Sequence, residues 1–270
     1  VSVVETESMT EVAQIPTGVM PHGSRMNAAG SRQYSVSMMG DELREIDAFR
    51  LETTRVLPLS DSAASWMHYQ HTGNGLMEMT DGGMGHEGGM EHEGGGMAEG
   101  GAAEGGMDHG EDGMDHAAHH AMKPPQAKPT WVTPVTPQGR VYVAGNGNAT
   151  LYEVDVEAWK VTRTFGPTGK GPYNLDVTPD GRRLVATYKG DRGVGVWDTE
   201  TGEELARIPT LRPVPHGVVV SPDGRYAFIS IEGIGGEPGS VEVIDLDSLE
   251  RVASLDVAKQ AGGIALWKME

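Results

Sequence analysis

Four methionines each stand two positions before a histidine: Met84 and His86, Met90 and His92, Met107 and His109, Met114 and His116. His119, His120 and Met122 follow them, and Trp66, Met67, His68 and His71 precede them. Thioether sulfur is a soft donor suited to Cu(I), and imidazole serves both Cu(I) and Cu(II), so alternating the two describes a site able to hold copper in either state. The chain has no cysteine, which removes disulfides, zinc–thiolate sites and thiol catalysis and leaves the redox compartment open. The pairs fall in residues 61–128, which carry 12 of the 39 acidic residues, 8 of the 10 histidines and 9 of the 15 methionines, with no Lys or Arg before Lys123. Flanking glycines let such a segment wrap an ion, and its carboxylates raise the local cation concentration. If residues 115–120 became helical on binding, His116, His119 and His120 would share one face. The tract shows neither alternating nor helical apolar periodicity, so the sequence predicts a disordered or loosely ordered loop projecting from a sheet edge. The same residues also read as an acidic, solubilising linker, although neutral linkers favour Ser, Pro and Glu over Met.

What surrounds the tract is a repeat. VTPQGRVYVAG from Val135, VTPDGRRLVAT from Val177 and VSPDGRYAFIS from Val220 place glycines at 139, 181 and 224, spaced by 42 and 43 residues. A weaker copy, NAAGSRQYSVS, starts at Asn27, and its Gly30 lies 109 residues before Gly139, so the tract interrupts one period. Within a unit, PHGVVVS reads as a strand, Pro-Asp-Gly as a turn, RYAFISI as a second strand, and SVEVIDLDSLERVASLDV as a hairpin. Four strands per unit of this length, with almost no helical periodicity, predict an all-β chain of radially stacked four-stranded antiparallel blades, a β-propeller. Complete units run over about 21–60, 129–170, 171–214 and 215–257. The expected organisation is therefore N-terminal blades in 1–60, the first of them partial, the insert in 61–128, and C-terminal blades in 129–270. The segments 1–20 and 258–270 either share one blade or flank blades lost from the N-terminus; with no initiator methionine and a start in mid-unit, the sequence favours loss.

The charge of −18 argues against a phosphate-neutralising surface and hence against nucleic acid as partner. With a mean hydropathy of −0.37 and no apolar run of membrane-spanning length, no transmembrane helix is expected.

The repeats IPTGVMPHGSRM…DELREIDAFRLETTRVL and PHGVVVSPDGRYAFIS…GSVEVIDLDSLERVASLDV resemble the YVTN family of β-propeller proteins over about three quarters of the chain. That resemblance implies a seven-bladed ring and a periplasmic, secreted or cell-surface location. It also implies similarity to lactonase-type propellers, to the haem d1 domain of nitrite reductase and to nitrous oxide reductase, whose propeller carries copper on histidines. The family's Pro-Asp-Gly turn stands at Pro179-Asp180-Gly181 and Pro222-Asp223-Gly224, and is altered to Pro137-Gln138-Gly139 and Ala28-Ala29-Gly30. The Met/His tract is similar to segments of periplasmic copper-handling proteins, which points to the same compartment.

Aligned positions at the head of each innermost strand read Pro21-His22-Gly23, Pro129-Thr130-Trp131, Pro172-Tyr173-Asn174 and Pro215-His216-Gly217. By propeller geometry they approach the mouth of the central channel, where His22, Tyr173, Asn174 and His216 could converge on a ligand. The alternative is that Pro-X-Gly belongs to the repeat and its histidine packs between blades. Asp155, Asp198 and Asp245 recur after the third strand, as turn-forming residues do. No Ser-His-Asp order, phosphate loop, HExxH pattern or calcium cage appears, so a binding scaffold is expected rather than an enzyme. The sequence thus supports an extracytoplasmic propeller that takes a protein or small-molecule ligand on its face and copper on its loop, for storage, delivery or resistance. A lactonase-like or haem d1-like enzyme with a mouth site, and a structural cell-surface propeller with an inert linker, are the alternatives.

Overall fold

The computed structural model describes residues 1–60 and 126–268. The described residues form strands and no helix. A hairpin of β1 (Ser2–Glu5) and β2 (Thr10–Gln14) precedes four four-stranded antiparallel sheets. Blade one is β3 (Pro21–Met26), β4 (Arg32–Ser37), β5 (Glu42–Asp47) and β6 (Glu52–Pro58). Blade two is β7 (Pro129–Val132), β8 (Arg140–Gly145), β9 (Thr150–Asp155) and β10 (Lys160–Phe165). Blade three is β11 (Pro172–Val177), β12 (Arg183–Tyr188), β13 (Gly193–Asp198) and β14 (Glu204–Pro209). Blade four is β15 (Pro215–Val220), β16 (Tyr226–Ile231), β17 (Gly239–Asp245) and β18 (Glu250–Val257). Each sheet is a meander in which sequence neighbours pair, and the inner strands pack in series, β3 on β7, β7 on β11 and β11 on β15. This is the β-propeller architecture.

The repeat's glycine is explained by the turn between the first and second strands. Gly30, Gly139, Gly181 and Gly224 have φ between 65° and 75°, a left-handed conformation that costs a side chain strain. Each N–H closes the turn onto the carbonyl three residues earlier, at Asn27, Thr136, Thr178 and Ser221. Only the glycine is demanded there, which is why Pro-Asp may become Pro-Gln or Ala-Ala.

The core lies between blades rather than within them. In β12, Leu184, Ala186 and Tyr188 pack with Tyr142, Leu151 and Phe165 of blade two. Val185 of the same strand packs with Val218, Ile229 and Ile244 of blade four. In β8, Val141 and Val143 join Tyr34, Val36 and Leu43 of blade one, while Tyr142 and Ala144 face blade three. Successive side chains leave opposite faces of a strand, so a strand apolar at every position is one buried on both sides.

Polar brackets cross the first two interfaces. Arg55 pairs with Glu45 on its own blade and donates to the Val156 and Glu157 carbonyls of blade two at 2.8 and 3.2 Å. Arg163 pairs with Glu153 at 2.8 Å and donates to the Thr199 and Glu200 carbonyls of blade three. In blade three, Gly195 stands opposite Arg207, where Glu45 and Glu153 stand opposite Arg55 and Arg163. There Arg207 turns to Glu204 at 2.6 Å, and the interface is crossed by Arg183, donating to the Leu246 carbonyl, and by Arg251, donating to the Pro209 carbonyl at 2.7 Å.

The recurrent aspartates close the turns between third and fourth strands. Oδ1 of Asp155 accepts the Glu157 and Ala158 N–H groups, that of Asp198 accepts Glu200 and Thr201, and that of Asp245 accepts Asp247 and Ser248. Asp47 does the same for Phe49 and Arg50, and Glu5 for Glu7 and Ser8. Backbone donors favour the ionised form, so the carboxyls of Asp47, Asp155, Asp198 and Asp245 are held below the usual carboxylate range.

Two outcomes follow for stability. Replacing Arg163 with Ala leaves the Glu153 carboxylate, 7% exposed, with only the more distant Arg140 at 3.8 Å, and frees the Thr199 and Glu200 carbonyls. Because Arg163 itself is 33% exposed, the expected loss is about 2 kcal/mol, below that of a fully buried pair. Arg207→Ala, whose arginine hydrogen-bonds only Glu204 of its own blade among the described residues, should cost less than about 1 kcal/mol; urea unfolding of both variants checks the difference. The depressed aspartate pKa values contribute stability that is complete above about pH 4 and lost as pH falls through the lower folded values. Asp198→Asn keeps the turn acceptor but cannot titrate, so its thermal midpoint should fall less steeply than that of the parent below about pH 4.

Candidate functional site

The heads of β3, β11 and β15 converge, as do the residues just past the ends of β12 and β16. Pro172 pairs with Tyr188 and Pro215 with Ile231, so antiparallel pairing sets Lys189 and Glu232 beside the mouth. His22 is exposed, while Tyr173, Lys189, His216 and Glu232 are half-buried.

These groups form a continuous chain. His22 Nδ1 lies 2.8 Å from the Thr130 carbonyl, which can only accept, so in the neutral ring Nδ1 carries the proton and Nε2 the lone pair. Tyr173 Oη then donates to His22 Nε2 over 3.0 Å. The Tyr173 ring lies 5.3 Å from His22 and 4.5 Å from His216, with the Lys189 ammonium 4.4 Å from its centroid. Glu232 Oε1 accepts from Lys189 at 3.0 Å and lies 3.4 Å from His216 Nε2. Trp131 extends the ledge, its ring 6.2 Å from His22 and the Arg25 guanidinium 4.9 Å from its centroid. Gly23 is required beside it, since a Cβ there would lie 2.7 Å from the indole. Burial, reinforced by Lys189, holds the His216 imidazole below its ordinary pKa, and burial next to Glu232 raises that of the Tyr173 phenol.

Of the four residues singled out by alignment, His22, Tyr173 and His216 meet in this cluster. Tyr173 lies between the two imidazoles, so they do not face one another across a shared point. Asn174 is buried at 3% exposure, and its N–H binds Thr187 Oγ1 rather than the chain of mouth groups. Lys189 and Glu232 escaped the sequence analysis. Their signal was present, since the position after the second strand reads Met38, Asn146, Lys189 and Glu232 through the four repeats. Among the described residues no group of three or more His, Asp or Glu is placed to hold a metal ion.

Farther along the inner strands, Asp176 ties β11 to β15. Its carboxylate, 8% exposed, accepts from Val177 at 3.0 Å and from Val220 at 2.7 Å, and burial pushes its pKa up.

The copper-type positions Met84, His86, Met90, His92, Met107, His109, Met114, His116, His119, His120 and Met122 lie outside the described residues. What the structure does describe is the attachment of the tract. Asp41, fully buried with φ of 51°, accepts from Ser60 Oγ at 2.6 Å on one side of the tract. On the other side it accepts from the N–H groups of Gln126, Ala127 and Lys128 at 2.5, 3.1 and 2.7 Å. Ala127 is buried in the core between blades one and two. Gln126, Ala127 and Lys128, which composition assigned to the insert, thus belong to the ring. Replacing Asp41 with Asn turns an amide N–H₂ toward backbone donors, so it should cost about 1–3 kcal/mol. Amide exchange at Gln126, Ala127 and Lys128, measured by mass spectrometry, should quicken by about tenfold or more.

No family model matches the sequence, and no curated protein matches it. Among solved structures, hydrazine synthase of Kuenenia stuttgartiensis is similar, with a TM-score of 0.61 and 17% identity over 92% of this chain and 53% of that one. The chain therefore spans about half the length of that protein, and at this identity the similarity carries the propeller fold alone.

Proposed function

We propose that the protein is a non-catalytic, YVTN-like propeller scaffold outside the cytoplasm whose Met/His tract captures copper for storage, delivery or resistance. The observation that carries this reading is the fourfold Met-x-His recurrence in a chain without cysteine. Thioether and imidazole donors in alternation suit copper in both oxidation states, and the glycines between them leave the backbone free to bring distant pairs to one ion. Asp41 supports the reading, because one carboxylate fastens the residues on both sides of the tract to the ring. The ring is then a rigid carrier and the tract its metal-binding appendage. The family resemblance and the soft, thiol-free donor set support a periplasmic, secreted or cell-surface location.

A second reading places redox or hydrolytic chemistry at the mouth, and the Tyr173–His22–Thr130 chain favours it. A phenol whose proton points at an imidazole nitrogen is a proton-transfer pair, and His216, held neutral by burial, is a base available near neutral pH.

A competitive Cu(I) and Cu(II) titration separates the two. It compares the full chain with a variant in which residues 61–125 become a short Gly-Ser link, leaving Gln126, Ala127 and Lys128 on Asp41. Copper affinity should fall by about a hundredfold or more in that variant and be unchanged in His22→Ala and His216→Ala. Binding that survives removal of the tract but is lost with either histidine would move the function to the mouth. Weak binding by every form would overturn the copper reading.

A further inference from the structure

The mouth cluster has a charge balance and a set of surfaces that select a class of ligand. Lys189 and Glu232 neutralise each other at 3.0 Å, and His216 beside them is held uncharged by burial. The Arg25 guanidinium over Trp131 is countered by the Asp176 carboxylate, so the mouth offers little net charge to draw in an ion, and a chain of −18 repels anions at long range. An apolar ligand fares no better, since covering the Lys189 and Glu232 head groups without giving them partners costs their hydration. What the mouth presents is a ledge of rings, Trp131, His22, Tyr173 and His216, with the Lys189–Glu232 pair at one edge and the Arg25 guanidinium over Trp131. Lys189 keeps N–H groups beyond the one given to Glu232, and Glu232 Oε2 makes no hydrogen bond among the described residues. Tyr173 Oη, having donated to His22, can still accept.

A neutral ring bearing hydroxyls meets every one of these features. Adjacent hydroxyls both donate and accept, so one can take a Lys189 N–H while its neighbour gives its proton to Glu232. The C–H face of such a ring covers an aromatic surface without leaving polar groups unpaired. We propose that the channel mouth binds a neutral saccharide, its hydroxyls held by Lys189, Glu232 and Tyr173 and its ring laid against Tyr173 and the exposed His22. This rests on the reading of the ring as a binding scaffold and assigns that scaffold's face a ligand class; it does not depend on copper.

The test screens the full-length chain against an array of immobilised oligosaccharides. Neutral members end in glucose, galactose, mannose or N-acetylglucosamine, and sialylated and sulfated members serve as anionic probes. The strongest neutral binder is then titrated in solution against the parent chain, Lys189→Met, Tyr173→Phe and the variant lacking residues 61–125, with thermal midpoints confirming folding. The expected result is binding to neutral oligosaccharides that weakens about tenfold or more in Lys189→Met, weakens less in Tyr173→Phe, which keeps the ring, and persists without the tract. Binding to no neutral member, binding to anionic members alone, or binding indifferent to Lys189→Met would each overturn the proposal. Running the copper titration on the same samples separates the failures. Copper bound without saccharide removes this inference and leaves the carrier reading standing, whereas loss of both removes the scaffold reading with it.

Discussion

A four-stranded sheet that is apolar on both faces cannot stand alone in water. That constraint governs this molecule. Burying a valine or leucine is worth about 1.5–3 kcal/mol, and β8 and β12 carry such residues on both sides. Each blade must therefore be sandwiched, and repeated sandwiching about a common line produces the serial packing of β3, β7, β11 and β15. The arginine brackets act within this arrangement. They satisfy backbone carbonyls in the turn between the third and fourth strands of the next blade and so tie neighbouring blades together.

The same geometry separates the parts of the repeat that must be constant from those that can vary. The turn glycine, the turn aspartate and the alternating core positions are demanded by backbone conformation or by a neighbouring blade. The head of the first strand and the residue after the second meet their neighbours through polar and ring contacts rather than through the apolar core, and they sit next to each other because the strands are antiparallel. There the repeats diverge into histidine, tyrosine, lysine and glutamate. The polar cluster arises at an edge of the repeat that the apolar core does not reach.

The tract shows how a propeller tolerates an insertion of this size. Lengthening a connection from about ten residues to several times that costs only about 1–2 kcal/mol of closure entropy. The bonds to Asp41 offset such a cost and keep the start of β7 in place. Asp41 occupies a left-handed position shared with Ala149 of blade two and Arg192 of blade three, at φ of 51°, 51° and 52°. In each blade the carbonyl of that residue accepts from the segment leaving the fourth strand, at Leu59, Thr168 and Thr210. Blade one alone places a carboxylate there, and uses it to hold the chain as it returns.

Much of the fold was written in local chemistry that sequence exposes. Glycine spacing marked the turns, since few other residues tolerate their φ, and the continuous apolar strands marked sheets buried on both faces. Three of the four mouth residues could be placed by alignment, because position along an inner strand is a local property. Lys189, Glu232, the carbonyl partners of Arg55 and Arg163, and the double grip of Asp41 were not legible. Each joins residues far apart in the chain, from 36 between Arg163 and Thr199 to 102 between Arg55 and Glu157, and such pairings exist only after blades stack. The sequence alone determined the blades and their turns, because those follow from backbone conformation and the two-residue period of a strand. The tertiary structure decided which side chains meet at the mouth and what holds the tract, because contacts between blades depend on their mutual rotation, which no local pattern encodes.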